Sequence, residues 1–161
     1  MKPCITGPKL IEGTKLTELG LQRLPATTPR WVLECRDPQV ENDDNALGRY
    51  LRLGIDEFQA HAGYLASKRK PWYALEQRSN MAILFTYMNR QRPRFIRNRA
   101  GAIPLNTFLI VEPKDGVDAD TLCEALNAPK TVAQLERLRR NYGGGLWKLE
   151  PGEVASLRVS I

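Results

Sequence analysis

The sequence predicts an α+β fold, with a central antiparallel or mixed sheet flanked by a few helices. Short β-rich runs separated by turn residues occupy the middle of the chain. Apolar residues recur at helical spacing in one segment before these runs and in another after them. The 161 residues are 42% hydrophobic and 26% charged, which is ordinary for one globular domain and excludes a disordered or fibrous protein.

An irregular N-terminal arm and a folded body are the two predicted parts of the chain. Residues 1–30 are rich in Pro, Gly and Thr and carry only short apolar pieces such as Leu10-Ile11, which is typical of an arm packed on a body. Residues 31–161 form the predicted folded domain. Its first strand runs from Trp31 to Cys35 and is closed by Asp37-Pro38.

An amphipathic helix is predicted next, on the apolar positions Leu47, Tyr50, Leu51, Ile55 and Phe58. The residues suited to cap its N-terminus are Asp43, Asp44 and Asn45. Gly54 is expected to break this helix, because glycine is unfavourable inside helices.

Four strands are predicted in the middle of the chain. They cover Trp72 to Glu76, Met81 to Met88, Arg94 to Arg97 and Thr107 to Val111. Ser79-Asn80 and Gln91-Arg92-Pro93 are the predicted turns between the first three.

The C-terminal third changes to a helical period. Asp118 is expected to cap one helix, Pro129 to interrupt it, and Thr131 with Gln134 to form a capping box that opens a second helix. The buried face of this second helix is predicted to comprise Val132, Leu135, Leu138 and Tyr142. The glycines 143–145 are expected to end that helix before a last strand from Leu146 to Leu149.

Several classes of protein are excluded by simple counts. The longest apolar runs, such as residues 82–85, are far shorter than the ~20 residues of a membrane-spanning helix. The first residues have no signal-peptide pattern, and three scattered cysteines (Cys4, Cys35 and Cys123) fit reduced thiols better than a disulfide framework. We therefore expect a cytoplasmic protein without a membrane partner.

The positive charge is concentrated in one fifth of the chain. Residues 68–99 carry nine basic side chains against the single acid Glu76, a net charge of +8, while the rest of the chain sums to −2. Seven of the nine are arginines, and aromatic residues alternate with them. A solvated strand face would explain an ordinary charge run, but cations of one sign repel each other unless a polyanion screens them. The pattern therefore favours a nucleic-acid partner.

Sites for other chemistry are weakly supported. The chain has one histidine, His61, and widely spaced cysteines, so we expect no zinc site and no nucleophilic triad. The acids of residues 41–44 and 115–120 are compatible with a Mg²⁺-dependent nuclease, but their positions fit helix caps better. The glycines 143–145 lack the Lys-Ser/Thr of a phosphate-binding loop, although a DNA backbone can approach glycines closely, with Lys148 nearby.

An ordered series of short motifs runs from Trp31 to the C-terminus. It comprises LGRYL (47–51), GYL (63–65), RKPWY (69–73), IL (83–84), YMNR (87–90), RFIRN (94–98), VEPK (111–114) and YGGGLWKLEP (142–151). In this order the motifs resemble the C-terminal target-recognition region of adenine-N6 DNA methyltransferases of the restriction-modification type. The first thirty residues match only loosely.

The resemblance stops short of the catalytic half of those enzymes. They bind S-adenosylmethionine through a Gly-rich loop and hold the flipped adenine with an (Asn/Asp/Ser)-Pro-Pro-aromatic motif, and neither occurs in these 161 residues. The resemblance therefore implies a non-catalytic module without a cofactor that reads double-stranded DNA. Such a module is either a subunit that works with a separate methyltransferase catalytic chain, or a free-standing paralogue turned to another use.

Contact roles follow from side-chain type. The phosphate candidates are Lys68, Arg69, Lys70, Arg92 and Arg94, and the base-edge candidates are Arg90, Arg97, Asn98 and Arg99. Trp72 and Tyr73 are candidates for stacking on a base, although core packing is favoured for Trp72; Gly144 and Lys148 complete the predicted surface. The alternative function is a protein-interaction or regulatory subunit of a restriction or phage-defence assembly.

Overall fold

A computed structural model describes residues 1–78, 80–90, 92–138 and 140–161. In this part of the chain, the helices are α1 (Glu18–Gln22), α2 (Ala46–Asp56), α3 (Tyr64–Ser67), α4 (Ala119–Leu126), α5 (Pro129–Leu138) and α6 (Pro151–Ala155). The strands are β1 (Lys2–Ile5), β2 (Lys15–Leu16), β3 (Trp31–Val32), β4 (Ile83–Phe85), β5 (Met88–Asn89), β6 (Phe95–Asn98), β7 (Ile103–Pro104), β8 (Leu109–Val111), β9 (Arg140–Tyr142) and β10 (Leu146–Lys148). The predicted α+β class is confirmed.

The chain forms two compact units. Unit 1 comprises Met1–Lys2 and Val32–Arg78, and unit 2 comprises Pro3–Trp31 and Ser79–Ile161. The +8 segment of the sequence is thus divided, with its first four cations in unit 1 and its last five in unit 2.

Unit 2 is built on a four-stranded mixed sheet in the order β2-β6-β4-β8. Because successive side chains of a strand point to opposite faces, Leu84 and Ile96 pack in one core cluster while Phe85 and Phe95 pack in another. The two phenylalanine rings stack with their centroids 4.4 Å apart. Helices α4 and α5 supply Cys123, Leu126 and Leu135 to the second cluster.

The N-terminal segment is more regular than the arm that its composition predicts. Ile5, Ile11, Leu16 and Leu21 are buried members of the first core cluster of unit 2. Strand β2 pairs in parallel with β6, and β1 pairs in parallel with β7. The start of the DNA-reading region at residue 31 stays a prediction.

A second sheet of unit 2 has the order β5-β10-β9 and is antiparallel. Strands β9 and β10 form a hairpin in which Tyr142 pairs with Leu146, so the three glycines 143–145 are its turn. The glycines were predicted to end a helix that included Tyr142, and this is corrected: α5 ends at Leu138, and Tyr142 lies in β9.

The other boundaries differ from prediction by a few residues. Asn45 caps α2 and Asp118 caps α4, and both residues were among the predicted caps. Helix α5 starts at Pro129, the favoured first position for proline, rather than at a Thr131 box; the Thr131 hydroxyl instead donates to the Ala125 carbonyl.

Unit 1 corrects two further predictions. Gly54 does not break α2, which continues through it to Asp56. The missing side chain makes room for Trp72, since a Cβ on Gly54 would lie 3.3 Å from the indole ring. The segment from Trp72 to Glu76 forms no strand. Ser79 and Gln91, from two predicted turns, lie outside the described residues.

Two general predictions concern membranes and thiols. Within the described ranges, no helix has both the length and the apolarity to cross a bilayer. Cys4, Cys35 and Cys123 are free thiols, and burial raises the pKa of Cys4 and of Cys123.

Candidate nucleic-acid interface

Three consecutive cations follow α3 in unit 1. Lys68 and Lys70 are exposed and Arg69 is half-buried. Lys68 is the C-terminal cap residue of α3, where a positive charge complements the helix dipole. Its Nζ lies 5.6 Å from the ring centroid of Tyr64. Among the described residues, no carboxylate oxygen lies within ion-pair distance of these three cations.

Trp72 and Tyr73 use their polar atoms inside unit 1. The Trp72 indole N–H donates to Glu41 Oε2 over 3.2 Å, and the Tyr73 hydroxyl donates to the Asp37 carbonyl over 2.5 Å. The Tyr73 ring is buried and meets Trp72 edge to face. Burial and the nearby Glu41 carboxylate raise the pKa of Tyr73. Both rings therefore pack the unit, which agrees with the core role favoured for Trp72.

The glycine hairpin of unit 2 carries the next group of predicted residues. Gly144 and Gly145 have φ of 73° and 72°, a conformation that non-glycine residues adopt only with strain. Arg90 directly follows β5, is exposed, and approaches the turn: a Cβ on Gly144 would lie 3.9 Å from its Nη2. No hydrogen bond or ion pair of Arg90 is found within the described part of the chain. Its guanidinium is thus available beside an exposed stretch of bare backbone.

Lys148 faces Arg140 across the β9–β10 ladder. Two like charges opposite each other repel, and each is neutralised by its own acid. Lys148 Nζ lies 2.8 Å from Glu150 Oε1, and Arg140 Nε lies 3.0 Å from Glu153 Oε1. Arg140 was not predicted, because it lies outside the dense basic segment. Only its pairing with Lys148 across the β9–β10 ladder brings it to the glycine hairpin.

Arg92 and Arg99 are exposed and paired with acids. Arg92 Nη2 lies 3.0 Å from Glu136 Oε1, with the arginine side chain 70% exposed. Arg99 Nη2 lies 2.8 Å from Asp120 Oδ1, with the arginine side chain 53% exposed. Exposed ion pairs contribute only about 0–1 kcal/mol, so either arginine can exchange its carboxylate for a phosphate at small cost.

Arg94 and Asn98 hold the fold of unit 2 together. The Arg94 guanidinium donates to the carbonyls of Pro8, Ile11 and Gly13 over 2.6–2.8 Å, and desolvation lowers its pKa. Asn98 is buried; its amide donates to the carbonyls of Met81 and Ala102 and accepts from the Ala102 N–H. These polar atoms are already satisfied, so neither side chain presents a contact group to a ligand.

Arg97 is less exposed than Arg92 and Arg99, but it also contacts an acid. Its Nη1 donates to the Ala82 carbonyl over 3.1 Å, and its Nε lies 3.4 Å from Asp120 Oδ2. The Nε atom is buried and makes no hydrogen bond, so the contact with Asp120 is an attraction between charges. Only 20% of the Arg97 side chain is exposed, which limits its access to a base edge.

Asp118, one of the acids that suggested a nuclease, is the N-terminal cap of α4, and Asp44 and Asp120 pair with arginines. Asp118 accepts from the backbone N–H and the hydroxyl of Thr121, and these bonds lower its pKa. Over the described residues, no group of three or more His, Cys, Asp or Glu side chains is placed to hold a metal ion.

Comparisons with known proteins match this chain to Type II methyltransferases. Residues 1–161 match the family model described as "Type II methyltransferase M.Eco57I, C-terminal domain". Type II methyltransferase M.AccI of Acinetobacter calcoaceticus is 30% identical over 156 residues, which cover 94% of this chain and 28% of that protein. Type II methyltransferase M.XamI of Xanthomonas campestris pv. amaranthicola is 30% identical over 103 residues, 62% of this chain and 19% of that protein. The chain therefore spans under a third of the length of these relatives. No solved structure matches it.

Proposed function

Because this chain belongs to the family of the C-terminal domain of Type II methyltransferase M.Eco57I, we propose that it is a non-catalytic module that reads the sequence of double-stranded DNA. It acts with a separate methyltransferase catalytic chain, in the cytoplasm and without a cofactor of its own. Methyl transfer and base flipping need a catalytic pocket, whereas recognition needs cations on phosphates and a few side chains at base edges.

The observation that supports this proposal most is the set of cations that have no acidic partner among the described residues. Lys68, Arg69 and Lys70 have no acidic partner among the described residues, and Arg90 lies beside the glycine turn. Arginine matches the two acceptors of guanine and the oxygens of phosphate with its planar fork. We assign Arg90 to a base edge, and Lys68, Arg69, Lys70 and Arg92 to phosphates.

The remaining candidates divide by accessibility. Arg99 keeps its proposed base-edge role because its carboxylate partner is exchangeable. Gly144 and Lys148 keep theirs at the hairpin, where the turn admits a sugar-phosphate backbone. The proposal leaves out Arg94, Arg97, Asn98, Trp72 and Tyr73, since their polar atoms face the interior of their own unit.

Salt dependence of DNA binding tests the proposal directly. Fluorescence anisotropy with a labelled random duplex should show affinity falling by roughly 10²–10³ between 50 and 200 mM salt, the size expected when the four assigned cations and Lys148 contact phosphates. Lys68→Ala should weaken all duplexes alike and make the salt slope shallower by about 1, whereas Arg90→Ala should relax the preference at one base position of a selected site. An affinity that does not respond to salt contradicts the proposal.

A second candidate function is a protein-interaction or regulatory subunit of a restriction or phage-defence assembly. The observation that favours it is that Arg92, Arg97 and Arg99 already neutralise carboxylates of their own unit, as an arginine surface does when it binds acidic protein groups. This function requires that duplex DNA fails to bind at low salt while an acidic partner protein, co-expressed with the chain, copurifies with it.

A further inference from the structure

The segment 58–75 of unit 1 contains no acidic residue, although it includes Lys68, Arg69 and Lys70. The same segment exposes large apolar side chains. Tyr64 is 78% exposed, Phe58 72% and Leu65 58%. Among the described residues and away from the chain ends, Tyr64 and Phe58 are the most exposed large apolar side chains. Aromatic surface and unopposed positive charge therefore share one short stretch.

Helix α3 fixes the position of two of these apolar side chains. Tyr64 and Leu65 are its first two residues, and Lys68 follows Tyr64 by one helical turn. The turn is closed by the Ser67 N–H, which donates to the Gly63 carbonyl over 2.8 Å, and by the Ser67 hydroxyl, which donates to the Tyr64 carbonyl over 3.0 Å. The Lys68 ammonium lies over the Tyr64 ring at 5.6 Å, yet most of that ring remains in contact with water.

Leaving large apolar side chains in water is unfavourable, so this arrangement implies a surface that covers them. The charges indicate which surface. An acidic protein patch would satisfy the cations, but the excess of nine basic residues over one acid in residues 68–99 favours a polyanion. A DNA duplex offers both phosphates and, between base pairs, an apolar slot. Proteins that kink DNA insert apolar side chains at such a step while cations hold the flanking phosphates.

We propose that α3 is a DNA-distorting wedge, in which Tyr64 and Leu65 enter a base step of a duplex whose phosphates are held by Lys68, Arg69 and Lys70. This inference rests on the proposed DNA-reading function. It adds that the module opens the duplex locally and so reads how easily a step unstacks, in addition to any base edge.

The test uses the complete chain and duplexes that carry a site selected for binding, in which 2-aminopurine, a base whose fluorescence rises when it is unstacked, replaces one base at a time at successive positions. With the unaltered chain, fluorescence at saturation should rise at one or two adjacent positions. Tyr64→Ala should abolish most of that rise and weaken affinity roughly tenfold, the size of one lost base–aromatic stacking contact. Leu65→Ala should also reduce the rise, because it removes the second apolar side chain from the base step. Both residues are exposed, so the variants should keep the circular dichroism spectrum of the parent chain.

Two controls separate stacking from charge and from general loss of apolar surface. Leu19→Ala removes an exposed leucine of α1 in unit 2 and should change neither readout. Lys70→Ala should weaken affinity, but it should reach the same fluorescence rise as the parent chain once the duplex is saturated.

The outcomes against the wedge are distinct from those against DNA reading. If the duplex binds but no position brightens, or if Tyr64→Ala and Leu65→Ala brighten as the parent does, the wedge is wrong and the proposed function stands. If Tyr64→Ala instead abolishes copurification with a protein partner and leaves DNA signals intact, α3 is a protein-docking element. If no duplex binds at low salt, both proposals fail together.

Discussion

Asp120 holds Arg99 of unit 2 through a contact of 2.8 Å between Oδ1 and Nη2, and the second oxygen of the same carboxylate lies 3.4 Å from Arg97 Nε. One acid at the start of α4 thus restrains two arginines, Arg97 in β6 and Arg99 directly after it. In a module that binds DNA through Arg99, this acid competes with the DNA for the Arg99 guanidinium.

We therefore expect Asp120→Asn to tighten binding to random duplex at low salt by about twofold to fivefold, since an exposed pair contributes at most about 1 kcal/mol. Glu124→Gln is the matched control, because it changes the net charge equally from the same helix without releasing an arginine. Anisotropy titrations of the two variants in parallel decide the matter. Equal tightening in both assigns the effect to overall charge and removes the specific role of Asp120.

Acid should destabilise the protein through three carboxyls. Hydrogen bonds from Thr121 lower the pKa of Asp118, the bond from Arg99 lowers that of Asp120, and the bond from the Glu150 N–H lowers that of Glu153. Because the folded state holds these protons less tightly than the unfolded state, their stabilisation is complete above the ordinary values of 3.8 and 4.5 and is lost as pH falls through the lowered values.

Urea unfolding between pH 7 and pH 3 measures this effect. The free energy of unfolding should decline below about pH 4.5, and Asp118→Asn should make that decline shallower. The interpretation fails if Asp118→Asn declines as steeply as the parent chain.

Removal of Arg94 should affect stability and leave DNA affinity unchanged. Arg94→Ala leaves two partly buried carbonyls and one exposed carbonyl without this donor and should lower the free energy of unfolding by about 2–3 kcal/mol. Arg92→Ala, which removes an exposed pair, should cost at most about 1 kcal/mol but weaken DNA binding. Denaturation and anisotropy on both variants test this reversal of effects; a loss of affinity in folded Arg94→Ala would restore Arg94 as a phosphate contact.

Two glycines in helices should respond in opposite directions to alanine. A Cβ on Gly48 would lie 2.1 Å from the Asp43 carbonyl oxygen, so Gly48→Ala forces the turn before α2 to move and should destabilise unit 1 by about 1–3 kcal/mol. Gly152 in α6 has open space around it, so Gly152→Ala should stabilise the chain by about 0.5–1 kcal/mol. Thermal melts of the two variants should shift oppositely, and a shared direction would contradict the packing at Gly48.

The sequence predicted those features that depend on neighbouring residues. Strands β4, β6 and β8 follow from runs of β-branched and aromatic residues, and the caps Asn45 and Asp118 from their hydrogen-bonding side chains. The two-residue strand β2 carries no period of its own and exists only because β6 lies beside it. It was not predicted for that reason.

The partners of each arginine likewise depend on residues that are distant in the sequence. Arg94 and Arg92 are two residues apart and of one type, yet Arg94 donates to carbonyls more than 80 residues earlier while Arg92 reaches an acid of α5. Composition located the basic segment, and tertiary contacts decided which cations face outward. Tyr64 and Leu65 were missed as exposed residues, although the absence of acids around them was readable in the sequence.

The path of the chain between its two units has a practical meaning for protein engineering. Apart from Met1–Lys2, unit 1 is one uninterrupted stretch, Val32–Arg78, spliced into unit 2. Exchanging that stretch as a cassette with a relative leaves both apolar clusters of the host whole. A shortened chain that starts at residue 31 discards Ile5, Ile11, Leu16 and Leu21, half of the buried members of the first core cluster. Chimaeras joined at 31/32 and 78/79 are accordingly the ones to build.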